Sequence, residues 1–180
     1  MRFTPAVAAG IALAPATAFA VDYLSAEQAA RLMFPEAEGF EARTLALDAA
    51  ALRQLDASGV KPRSAQWQVK AARKAGQTLG WVVVDEVVGK FELITYAVGL
   101  NLDGSVKQVE VLSYRESHGQ EIRLPAWRTQ FVGKTAAARM KVGDDISSIS
   151  GATLSCAHVT EGVRRIVAVV DFARRQNLLP

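Results

Sequence analysis

Four β-type runs follow one another through the middle of the chain with no room for a helix between them. They lie at 67–72, 79–88, 91–101 and 106–114. Ala75-Gly76 and Asp103-Gly104 supply turn dipeptides between them. Connections this short cannot carry a crossover, so the runs specify an antiparallel sheet. The second run, LGWVVVDEVV, is Val-rich and predicts a mostly buried strand. In VKQVEVLSY, residues Val106, Val109, Val111 and Ser113 alternate imperfectly, which predicts a bulge.

Helices flank the sheet at both ends of the sequence. Ser25-Ala26-Glu27-Gln28 is a capping box, and the helix it opens stops before Pro35. Residues 40–47 alternate as a strand. Asp48 then caps a short helix carrying Leu52 and Leu55, which Gly59 ends. Residues 124–131, with Pro125 in the first turn, predict a further short helix. A long helix is expected over 154–175. Ala157, Val163, Ile166, Val167, Val170 and Phe172 form its apolar side, and Arg164, Arg165, Arg174 and Arg175 lie outward or at its C-terminal end. The fold class is α+β, an antiparallel sheet packed with helices.

The chain has 180 residues, enough for one domain with its own core. A net charge of +3 is weak ground for nucleic-acid binding. One cysteine excludes an internal disulfide, and two histidines exclude a His-rich metal site. Residues 1–20 combine Arg2, a short apolar stretch interrupted by Pro15, and Ala18-Phe19-Ala20 at the end. This pattern predicts a cleavable export signal, leaving 160 residues with a charge of +2. An uncleaved segment would anchor the chain in the membrane instead.

The chemistry concentrates in Asp145–Ser155, DISSISGATLS, a hydroxyl-rich turn that opens directly into the long helix. The first N–H groups of a helix lack acceptors and attract anions. Gly151 and Ala152 permit close approach to the backbone, and Thr153 places a hydroxyl there. The residues alone allow either a phosphate site or a plain Ser/Thr helix cap.

Ser150-Gly151-Ala152-Thr153 resembles the S-G-A-T flavinylation motif of the FMN-binding domain family, which includes the FMN-bearing subunits of Rnf and Na⁺-translocating quinone reductase complexes. The likeness extends to Gly89-Lys90-Phe91-Glu92-Leu93-Ile94 and to Val98-Gly99-Leu100-Asn101-Leu102-Asp103-Gly104. Arg115-Glu116-Ser117-His118-Gly119-Gln120-Glu121 stands where the family has its E-T-P-G loop, and Gln130-Phe131-Val132-Gly133-Lys134 resembles its Q-F-x-G-K. Two departures stand out: Ser117-His118 replaces Thr-Pro, and Ser147 occupies the place of an aspartate, with Asp144 and Asp145 just upstream.

The resemblance implies FMN esterified through its phosphate to Thr153 by an ApbE-type flavin transferase, which uses FAD and Mg²⁺. It further implies an exported electron carrier working between a membrane-associated donor and a periplasmic acceptor. A non-covalent FMN module and a small flavin-dependent reductase are the alternatives. On this reading residues 21–64 form an N-terminal helix-strand-helix extension, and 65–180 the FMN-binding domain. Ser150, Gly151, Ala152, Leu154 and Ser155 would surround the phosphate. Asp145 would serve the transferase's Mg²⁺ or shape the turn. Glu116 and Gly119 would lie beside the isoalloxazine or in a solvated loop, and His118 would donate a proton to the flavin or face water. Lys134 would pair with the phosphate or sit at the surface. Trp127 and Phe131 would be core or flavin neighbours. Cys156 would be a packed residue or a thiol activated by the helix N-terminus.

Overall fold

The computed structural model describes residues 21–179, so the predicted export signal at 1–20 lies outside the described residues. In chain order the elements are β1 (Val21–Asp22), α1 (Ala26–Met33), β2 (Gly39–Ala46), α2 (Ala49–Ala57), β3 (Gln66–Lys74), β4 (Gln77–Val88), β5 (Leu93–Asn101) and β6 (Val106–Tyr114). A 3-10 turn (Gln120–Arg123), α3 (Pro125–Arg128), a second 3-10 turn (Thr129–Phe131) and α4 (Thr153–Arg175) complete the fold. The strands form one sheet in the order β1-β6-β5-β4-β3-β2, with every neighbouring pair antiparallel. The α+β class expected from the sequence is therefore the fold observed.

Local signals explain most elements. In α1 both arms of the capping box form: Gln28 N–H donates to Ser25 Oγ at 3.1 Å, and Ser25 N–H to Gln28 Oε1 at 2.8 Å. Asp48 caps α2 by accepting from Ala51 N–H at 2.8 Å. The bulge expected in β6 is real and is double. Register shifts fall between Gly99 and Leu100 and between Thr95 and Tyr96, opposite the extra residues Lys107 and Leu112. Because of them Val106, Val109, Val111 and Tyr114 all reach one core, while Leu112 turns to the other face.

The sheet is covered on both faces. On one side α1 packs Ala29, Ala30 and Met33, with Phe34 beyond its end, against Ala72, Val82, Ala97 and Leu112. The other side carries the larger core. There α4 lays Val159, Val163, Ile166, Val167 and Val170 over Trp81, Val83, Tyr96, Val98 and Val109, and α2 adds Ala51 and Leu55. The segment 21–64 is built into this frame. β2 pairs with β3 over eight residues, and α1 and α2 cover opposite faces.

Three expectations needed correction. Residues 91 and 92 leave the third run and, with Lys90, form the turn before β5, because their N–H groups bond to a side chain and not to a strand. The helix expected over 124–131 is one α-turn continuing as a 3-10 turn. Arg165, expected to point outward, is buried: its Nε donates to the Lys61 carbonyl at 3.0 Å, and its guanidinium lies 3.8 Å from Asp85 Oδ2. At 100° per residue Arg165 lies about 60° round from Gly162, at the flank of the buried face, where its guanidinium reaches Asp85 on β4.

Gly162 marks the closest approach of α4 to the sheet. A Cβ there would lie 2.0 Å from the Tyr96 hydroxyl oxygen. That hydroxyl donates to Asp85 Oδ2 at 3.1 Å, and burial together with the neighbouring carboxylate pushes its pKa well above the ordinary value. Gly162→Ala is expected to destabilise the fold by about 1–3 kcal/mol in urea unfolding, overpacking at this contact outweighing the helix-propensity gain of alanine.

Candidate functional site

At its N-terminal end α4 opens into a cleft of about 300 Å³. Three segments line it: Lys90 and Phe91 from the β4–β5 turn, Glu116 to His118 from the loop after β6, and Gly151 to Ser155 at the helix start. A cleft of similar size, about 310 Å³, lies near the other end of α4 by α2 and residues 136–138, away from the S-G-A-T turn.

Thr153 is the first residue of α4, and the cap position belongs to Ala152. Ala152 has no side-chain acceptor to offer, so the N–H groups of Thr153, Leu154 and Ser155 point outward uncapped. The Thr153 side chain is exposed and lines the cleft. Its hydroxyl makes no hydrogen bond among the described residues, so the helix-cap role weighed from the sequence is not the one it plays. Gly151, at φ +80°, makes the left-handed bend that aims the helix start at the cleft.

Two polar knots hold the three segments together. In the first, Glu116 Oε1 accepts from the backbone N–H groups of Lys90, Phe91 (2.6 Å) and Glu92 (3.0 Å). Burial raises the pKa of this carboxyl, but the backbone donors of Glu92, Phe91 and Lys90 outweigh burial and hold it below the ordinary value. Gly89 gives the carboxylate room, since a Cβ there would lie 2.5 Å from Oε1.

The second knot is Tyr114, which sequence reasoning missed. Its buried hydroxyl donates to the His118 carbonyl and accepts from Ser155 Oγ at 3.2 Å. Gly119, at φ +87°, lets the loop press on the motif: a Cβ there would lie 2.2 Å from Ala152 Cβ. The missing signal was the bulge at Leu112, without which Tyr114 cannot be assigned to this face.

The remaining candidates fall into two groups. Gly151, Ala152, Leu154, Ser155 and Glu116 line the cleft with Thr153, whereas Gly119 supports it from behind Ala152. His118 is exposed in the cleft, with its Nδ1 2.9 Å from Ser117 Oγ. Ser150 is exposed and lies outside the lining residues.

Asp145 is also outside the lining. It accepts from Lys134 Nζ at 2.7 Å, Lys141 N–H at 2.8 Å and Met140 N–H at 3.2 Å. The Lys134 hydrogen bond, with the backbone donors, lowers its pKa to about 2. Lys134 is thus engaged by Asp145. Trp127 and Phe131 are core, packed edge to face with centroids 5.1 Å apart. Trp127 Nε1 donates to the Ser147 carbonyl and Gln130 Oε1 accepts from Ser147 N–H, both at 2.8 Å. The Q-F-x-G-K segment therefore grips the approach to the motif. Cys156 is buried, and burial raises its thiol pKa, opposing activation by the helix end.

These residues suit a phosphorylated planar group. Uncapped N–H groups and the Lys90 ammonium favour an anion, a free hydroxyl stands among them, and the exposed apolar side chains of Phe91 and Leu154 flank the cleft. Among the described residues no group of three His, Cys, Asp or Glu is placed to hold a metal.

Comparison with known proteins agrees with this chemistry. Residues 89–168 match the family model described as FMN-binding domain, a span containing every lining residue of the cleft. The chain is 32% identical over 107 residues to a component of the proton-translocating ferredoxin:NAD(+) oxidoreductase complex of Clostridium ljungdahlii. That match covers 56% of this chain and 58% of the relative, so the likeness spans little more than half of the relative's length. Among solved structures the fold is similar to Shewanella oneidensis NqrC, with a TM-score of 0.56, 18% identity, and coverage of 83% of this chain and 88% of that one. It is also similar to a component of the Na(+)-translocating NADH-quinone reductase of Parabacteroides distasonis, with a TM-score of 0.52, 18% identity, and coverage of 79% of this chain and 81% of that one.

Two outcomes follow from the geometry. Tyr114→Phe is expected to lose about 1–2 kcal/mol in urea unfolding, because it leaves the His118 carbonyl and Ser155 hydroxyl without their shared partner. The depressed Asp145 pKa means that its stabilisation is complete above its ordinary value of 3.8 and is lost as pH falls through about 2. Asp145→Asn is therefore expected to be less stable than the parent at neutral pH, with the difference closing over that window when unfolding is followed against pH.

Proposed function

We propose that this chain is an exported electron-carrier flavoprotein with FMN joined through a phosphoester to Thr153. The observation that carries the reading is the Thr153 hydroxyl: exposed, unbonded, at the first residue of α4, inside the cleft of an FMN-binding domain. When bound, FMN supplies one- and two-electron redox chemistry that no side chain of this site offers. The chain's own residues hold and orient it. The N–H groups of Thr153, Leu154 and Ser155 and the Lys90 ammonium stabilise the phosphate charge. Gly151 and Ala152 leave the backbone open to it, and Ser150 flanks the same turn. Glu116 and Gly119 keep the surrounding loops in place.

The attachment step is a transfer from FAD. The Thr153 hydroxyl oxygen bonds to the flavin-side phosphorus, the pyrophosphate bond breaks, AMP leaves, and the hydroxyl proton is released. An ApbE-type flavin transferase with Mg²⁺ would perform it, with Asp145 shaping the turn that the transferase meets. Export rests on the pattern in residues 1–20, and among the described residues no helix is long and apolar enough to cross a membrane. The Clostridium relative is named for a ferredoxin:NAD(+) oxidoreductase complex. That supports a membrane-associated redox partner for this chain.

Coexpression with a flavin transferase is expected to raise the intact mass by one FMN less one water, and Thr153→Val to abolish the gain. A gain that survives the substitution would overturn the attachment site. Flavin released into the supernatant by acid precipitation would instead establish non-covalent binding.

A further inference from the structure

Phe91 is the most exposed large apolar side chain among the described residues, 74% accessible, yet the turn that carries it is among the most firmly held. Three consecutive N–H groups, those of Lys90, Phe91 and Glu92, converge on one oxygen of a carboxylate that is itself only 8% exposed. A mobile hairpin tip has no need of such a clamp: water would satisfy those N–H groups without burying a charge. Nor does Phe91 repay the clamp by packing, because its ring projects away from both cores. Its nearby cation is Lys90 Nζ, 4.8 Å from the ring centroid, so the ring and the ammonium are presented together. Both line the cleft that contains Thr153.

We infer that Phe91 is the aromatic platform on which the planar ring of the cofactor rests, and that Glu116 is the positioning residue that fixes it there. The inference deepens the proposed function and rests on its FMN reading. An apolar face exposed in the free protein is covered when a planar ring lies on it, with centroids expected at about 4.5–7 Å for a stacked or edge-on pair. Glu116 acts through the turn: its oxygen sets the direction of the 90–92 backbone and hence of the Phe91 side chain. Gly89 is required for the same reason, because any larger residue displaces the Glu116 carboxylate.

An indole within stacking distance quenches flavin emission far more strongly than a phenyl ring does. Phe91→Trp therefore converts the predicted contact into a signal. Flavin-loaded wild type, Phe91→Trp, Phe91→Leu and Phe91→Trp/Glu116→Gln proteins are compared by fluorescence per bound flavin, with folding checked by circular dichroism. Phe91→Trp is expected to lower emission several-fold relative to wild type, and Phe91→Leu to leave it unquenched but more accessible to iodide. Adding Glu116→Gln is expected to restore much of the Phe91→Trp emission, because the neutral amide holds the three N–H groups less firmly. Equal emission from wild type and Phe91→Trp, both loaded and folded, overturns the platform and leaves the attachment reading intact. Full quenching retained in the folded double variant overturns the role of Glu116. Wild type that gains no flavin mass refutes covalent attachment, and the same comparison is then read with added FMN. A chain that binds no FMN in either experiment overturns both readings.

Discussion

The contact between Gly162 and the Tyr96 hydroxyl fixes where α4 lies on the sheet, and the site depends on that placement. With no side chain at Gly162, the helix axis can approach β5 closely enough for Val159, Val163 and Ile166 to enter the core. The buried Arg165–Asp85–Tyr96 cluster ties the flank of the same helix, about 60° round from Gly162, to β4 and β5. It sets rotation about the axis as well as distance, because it is polar and its partners are specific. A helix so fixed delivers its first turn to one place: the gap between the β4–β5 turn and the loop after β6.

That gap is not lined by regular structure, so its rigidity has to come from side chains. Glu116 ties the loop to the hairpin turn, and Tyr114 with Gly119 ties it to the helix start. Each knot uses a buried polar group with its partners in reach. Such groups hold a geometry firmly, since breaking them strands a donor or acceptor away from water. A third grip, from Trp127 and Gln130 on Ser147, holds the chain leading into the motif. Thr153 is left as the free hydroxyl at the point where the uncapped helix N–H groups converge.

Much of this was legible in the sequence. The capping box of α1, the Asp48 cap of α2, the four-strand meander and the long helix all rest on interactions within a few residues. Local patterns report such interactions directly. The S-G-A-T turn and its place at the start of a helix were legible for the same reason. The pairing of Asp145 with Lys134 and the role of Tyr114 were not. Asp145 and Lys134 pair with each other across eleven positions, and Tyr114 reaches Ser155 across forty-one. The inward turn of Arg165 was hidden because charge argues for the surface until a buried acceptor, here the Lys61 carbonyl, is known.

By itself, then, the sequence determined the α+β class, the antiparallel order of the central strands, the resemblance carried by the motif segments and the hydroxyl at Thr153. These follow from short-range periodicity, turn chemistry and residue identity. Only the tertiary structure decided which residues face the cleft, that Ala152 and not Thr153 caps the helix, and that Phe91 stands exposed on a turn held by Glu116. Those outcomes depend on two bulges that reset the facing of β6 and on one glycine that lets α4 settle against β5. Each is a matter of how distant segments meet, which no local pattern encodes.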